Sequence, residues 1–71
     1  MSTHNNLTQQ EQRILMLLTK GCRNSIIAME LCISVRTVEN HLYRIFNKLD
    51  VSSRTEAVVY AFQTDLLSNS K

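Results

Sequence analysis

The chain has 71 residues, a net charge of +2, two cysteines, one glycine and no proline. A chain of that length holds one domain with a modest core, and such domains often lean on disulfides, a metal or a partner. Cys22 and Cys32, with nine residues between them and no second pair, offer neither a disulfide framework nor the spacing of a four-ligand zinc site.

These thiols read as free and as buried or half-buried. A metal site joining them to His41 lacks tetrahedral spacing, and no cofactor is expected. With no secretory signal and no apolar run near the length of a membrane span, the expectation is a soluble, cytoplasmic protein. The charge is unevenly spread: residues 20–54 carry Lys20, Arg23, Arg36, Arg44, Lys48 and Arg54 against Glu30, Glu39 and Asp50. A mildly basic centre suits a polyanion, although many proteins that bind none have one.

No strand pattern with turn dipeptides is visible, so the chain reads as all-α, a compact four-helix domain over 7–67. Residues 1–6, MSTHNN, are polar and aperiodic and predict a flexible arm in which His4 has no role. The first helix, about 8–20, opens with Thr8 and, three residues later, Glu11, a capping box in which each side chain satisfies the other's backbone donor. Ile14, Leu15, Leu17 and Leu18 give it an apolar stripe, and Gly21 supplies a left-handed stop. Asn24 is the expected cap of a second helix over 25–31. Ser34 caps a third over 35–49, which buries Val38, Leu42, Ile45 and Leu49 at helical spacing. Ser53 and Glu56 repeat the capping box at the head of a fourth, about 54–66, and 68–71 reads as a frayed end.

Residues 24–49, NSIIAMELCISVRTVENHLYRIFNKL, hold the most specific pattern: a short helix, a tight turn and a longer helix. Ala28 is the small residue needed where the two helices cross, with Ile27 and Leu31 flanking it on the buried side. Cys32 and Ile33 lie in the turn, and Val38 docks from the third helix. This is the pattern of a helix-turn-helix.

With its apolar stripe facing the core, the third helix turns Arg36, Asn40, Tyr43 and Asn47 almost directly outward, bordered by Glu39 on one side and Arg44 on the other. Arg can fork onto guanine, Asn onto adenine, Glu can accept from the cytosine amino group, and Tyr can pack on a thymine methyl. A plain solvated helix face would also be polar, and it is the turn that favours DNA. Thr37, His41 and Lys48 lie along the flank opposite Glu39, where short donors and a cation suit phosphates, although a histidine bordering a core stripe is more often a packed, hydrogen-bonded side chain. No nucleophile with a paired base, glycine-rich phosphate loop or carboxylate pair is present, so no enzyme is expected.

On the fourth helix, Ala57, Val58, Ala61 and Phe62 form an apolar face able to close the core. Val59, Tyr60 and Leu67 lie on the other side and, with Gln63, predict a two-fold dimer. The plainer reading is that scattered exposed apolar residues are normal.

Four phrases, LTQQEQRILMLLTKG at 7–21, NSIIAMELCIS at 24–34, TVENHLYRIFNKL at 37–49 and RTEAVVYA at 54–61, closely resemble the LuxR/FixJ type, or GerE-like, DNA-binding domain of bacterial transcription regulators. The resemblance covers about Leu7 to Ala61. It implies that the third helix enters the major groove and that the fourth pairs two copies across a DNA dyad. It carries base contacts onto Glu39, Asn40 and Tyr43, three residues that the outward geometry also selects, along with Arg36. Phosphate contacts fall near Asn24, Ser25, Thr37 and Lys48, and Arg23 and Arg44 complete that set. Two departures stand out: Ser25 and Ile26 replace the Lys and Glu that often follow the asparagine, and Glu39 replaces a lysine often found after TV. Losing two cations should weaken DNA affinity and flatten its salt dependence by roughly 0.9 in logarithmic slope per phosphate.

The leading expectation is a sequence-specific DNA-binding transcription regulator acting as a homodimer, either freestanding or excised from a larger regulator. The competing one is a protein-interaction module of the same fold, with little DNA affinity, that captures another transcription regulator through its fourth helix. The salt dependence of duplex binding separates the two.

Overall fold

The computed structural model describes residues 7–64. Four helices follow in order, α1 (Gln9–Thr19), α2 (Asn24–Leu31), α3 (Val35–Leu49) and α4 (Arg54–Gln63), with no strand among the described residues. The expected arm at 1–6, Leu67 and the end at 68–71 lie outside them.

Local chemistry starts three of the helices as expected. At α1 the Thr8 hydroxyl accepts from the Glu11 N–H at 3.1 Å, and the Glu11 carboxylate accepts from the Thr8 N–H at 3.0 Å. Ser34 caps α3 by accepting from the Thr37 N–H at 3.0 Å. Ser53 caps α4 through the Glu56 N–H, but the Glu56 carboxylate reaches back to Ser52 rather than to Ser53, so this box is displaced by one residue. The start of α2 differs from expectation. Asn24 is its first helical residue and Arg23 its cap, with no side-chain cap bond. The Asn24 side-chain oxygen instead accepts from the Arg54 guanidinium at 2.9 Å, which also donates to the Cys22 carbonyl.

Three helices end in the same way. Gly21, Cys32 and Asp50 adopt left-handed conformations with φ of 83°, 58° and 59°. The next residue then returns a hydrogen bond five positions back: Cys22 to Leu17 (3.1 Å), Ile33 to Ala28 (3.0 Å) and Val51 to Phe46 (3.0 Å). Each of Cys22, Ile33 and Val51 packs against the core, so these stops join a satisfied carbonyl to an apolar contact. Cys32 itself is exposed, which corrects the expectation of a buried or half-buried thiol. A left-handed residue at a helix end is lifted off the face that its neighbours bury.

The core gathers Leu7, Ile14, Leu15 and Leu18 from the first segment, Ile27 and Ala28 from α2, Val38, Leu42, Ile45 and Leu49 from α3, and Ala57 and Ala61 from α4. α1 packs on both α3 and α4, and α2 packs on α3. On α4 the buried line runs through the two alanines, with Val58 and Tyr60 half-buried on its flanks. Phe62 does not close the core: it is 69% exposed. At helical geometry it stands about 120° from the Ala57–Ala61 line, and only small residues let α4 lie this close to α1 and α3.

Candidate nucleic-acid interface

Ile27, Ala28 and Val38 are buried in the one core on which α2 and α3 pack together, and Leu31 and Ile33 pack on that core from either side of the exposed Cys32. The packing and turn read from the sequence are thus present, and they fix α3 with its apolar stripe inward. Its other face is open. Arg36, Glu39, Asn40, Tyr43, Arg44 and Asn47 are all exposed, Tyr43 by 69%. A continuous helix therefore presents guanidinium, carboxamide, carboxylate and phenol groups together, the donor, acceptor and apolar surface that base edges require.

The flanking residues are less uniform. Arg23 and Ser25 are exposed at the head of α2. Asn24 is half-buried and has its oxygen committed to Arg54. The Thr37 hydroxyl shares a 2.8 Å hydrogen bond with the Ser34 hydroxyl. Lys48 is held inward: its ammonium lies 2.8 Å from the Glu11 carboxylate, and its side chain is 32% exposed. His41 is half-buried, as a packed histidine would be, but its buried Nδ1 has no hydrogen-bond partner among the described residues, against the expectation of a bonded one.

Two residues that shape this face were not singled out from the sequence for it. Glu11 was read only as a capping residue, yet it is 2% exposed and ion-paired. Burial pushes its carboxyl up, but the Lys48 hydrogen bond, the Thr8 N–H and the charges of Lys48 and His41 outweigh burial and hold it below its ordinary value. The signal was its spacing, because Glu11 lies three, four and seven residues before Ile14, Leu15 and Leu18, on the apolar face of α1. Arg54 joins the head of α4 to the head of α2, and no local pattern foretold that link.

On α4, Val59 is exposed, Tyr60 half-buried and Gln63 exposed. All three line an open groove of about 280 Å³ with Val51, Thr55 and Glu56. Three of the four residues expected at a dimer contact thus share one surface.

A four-helix domain with this turn and outward face has the architecture of a helix-turn-helix domain. Residues 5–61 match the family described as bacterial regulatory proteins, luxR family, and the chain belongs to that family. It is similar to the response regulator protein VraR of Staphylococcus aureus, Staphylococcus saprophyticus and Staphylococcus epidermidis, being 46% identical to each over 61 residues. The match takes in 86% of this chain and 29% of each relative, so the chain spans less than a third of the length of these curated relatives. No described helix is long and apolar enough to cross a membrane.

Proposed function

We propose that this domain is the sequence-reading part of a cytoplasmic transcription regulator, inserting α3 into the major groove as a homodimer on a dyad-symmetric site. The observation that carries the reading is the exposed, chemically mixed face of α3, held on a helix whose opposite face is wholly buried. Asn40 and Tyr43 sit at the centre of that face, with Arg36 and Glu39 toward its start. Glutamate at 39 favours a cytosine there. Arg23, Asn24, Ser25, Thr37 and Arg44 supply phosphate contacts that set register without reading sequence, and Lys48, whose ammonium is paired with Glu11, lies on the same flank. Two copies meeting through the α4 groove at Val59, Tyr60 and Gln63 would place their α3 helices on half-sites about one helical turn apart.

Selection from a random duplex pool, followed by binding of the winner and a scrambled control at two salt concentrations, tests this reading. An enriched, dyad-symmetric site with steep salt dependence is expected. A second reading rests on Ile26 and Met29, three residues apart on α2 and both exposed, Met29 by 72%. An apolar surface on that helix suits a protein partner, so no enrichment and weak binding at both salts would favour an interaction module.

A further inference from the structure

Among the described residues Glu11 is the one charged side chain buried in the core. Its carboxylate accepts from the Thr8 N–H, which closes the head of α1, and from the Lys48 ammonium at 2.8 Å, in the last turn of α3. The partners are 37 residues apart in sequence. Stability alone does not explain such a pair, because well-packed apolar residues of similar volume often hold a core as well or better. What a charge pair adds is direction and distance, since an apolar contact can slide where an ammonium on a buried carboxylate cannot. The pair ties the end of α3 to the start of α1, and α3 is the helix that carries Asn40 and Tyr43.

We propose that Glu11 is a positioning residue for DNA recognition: through Lys48 it fixes the axis of α3 against α1, so that sequence preference depends on a side chain that never meets DNA. The proposal rests on the DNA-binding reading above, and electrostatics gives it a sharp sign. Glu11→Gln keeps the side-chain shape and an acceptor for Thr8 while removing one negative charge. On charge alone that change tightens binding to any duplex. Lost positioning acts in the opposite direction, and only on the preferred site.

The test compares the full chain and its variants on the selected and scrambled duplexes, at a temperature where melting curves show each protein fully folded. Glu11→Gln should lower affinity for the selected duplex about tenfold and leave the scrambled duplex as tight or tighter. In a Lys48→Met background the same change should alter the ratio of the two affinities little further, because Glu11 acts through Lys48. Should Glu11→Gln not fold, the paired replacement Glu11→Leu with Lys48→Met, apolar on both sides, supplies the folded variant, and it too should lose the preference. A folded variant that keeps the wild-type ratio overturns the proposal alone. A wild-type chain that prefers no duplex overturns the DNA-binding reading and the proposal with it.

Discussion

Cys32 and Asp50 are left-handed without being glycine. A side chain in that conformation meets the following carbonyl, at a cost of about 1 kcal/mol. Cys32→Gly relieves the clash but also loosens the unfolded chain, so a net gain of about 0.5 kcal/mol in urea-unfolding stability is expected. Gly21→Ala should act in reverse: space around the added methyl is open, but the φ of 83° strains any side chain there. Glu11 makes stability depend on pH. Its folded pKa lies below the ordinary 4.5, so its contribution is present above that value and is lost as pH falls through the lowered folded pKa. Acid unfolding of Glu11→Gln should therefore show a shallower loss below about pH 4.5, and an identical profile would remove Glu11 from the account. Glu11 was legible as a charge on an apolar period, whereas Cys32 and Asp50 were not. Sequence marks a left-handed stop clearly only where glycine supplies it.

For the helices, legibility followed how much of each one's fate its own residues decide. α3 runs over 35–49 as expected, because its cap, its stripe and its polar face are all local. The start of α2 moved by one residue because Arg54, far along the chain, takes the Asn24 oxygen that a cap would have used. On α4, Ala57, Val58 and Ala61 face the core as expected and Phe62 alone does not, because close packing of one helix on two others selects the small residues. On α3, Asn40→Ala should cost roughly 1–3 kcal/mol on the preferred duplex and relax one base position. Equal weakening on every duplex would deny Asn40 a part in reading bases. On α4, the half-buried Tyr60 is a poor probe of association because changing it also disturbs the core. Val59→Glu touches only the exposed side and should convert a dimer to a monomer in sedimentation equilibrium, and an unchanged mass would dismiss the α4 contact.

Across the whole molecule, the fold was readable because three of the four described helices carry their own side-chain cap and the turns between them are short. The surfaces that would meet DNA and a second copy were readable only as exposed faces. What fixes one helix against another, Glu11 on Lys48 and Arg54 on Asn24, joins distant parts of the chain. That contrast bears on time. Helices linked by short left-handed turns assemble mostly from near neighbours, and domains of this kind fold in microseconds to milliseconds. A link spanning 37 residues forms only once the helices have met, so its loss should leave the folding rate of Glu11→Gln almost unchanged and quicken unfolding, as stopped-flow traces in urea would show. The ion pair that orients α3 is thereby also a latch, setting how long each folded molecule lasts before it opens.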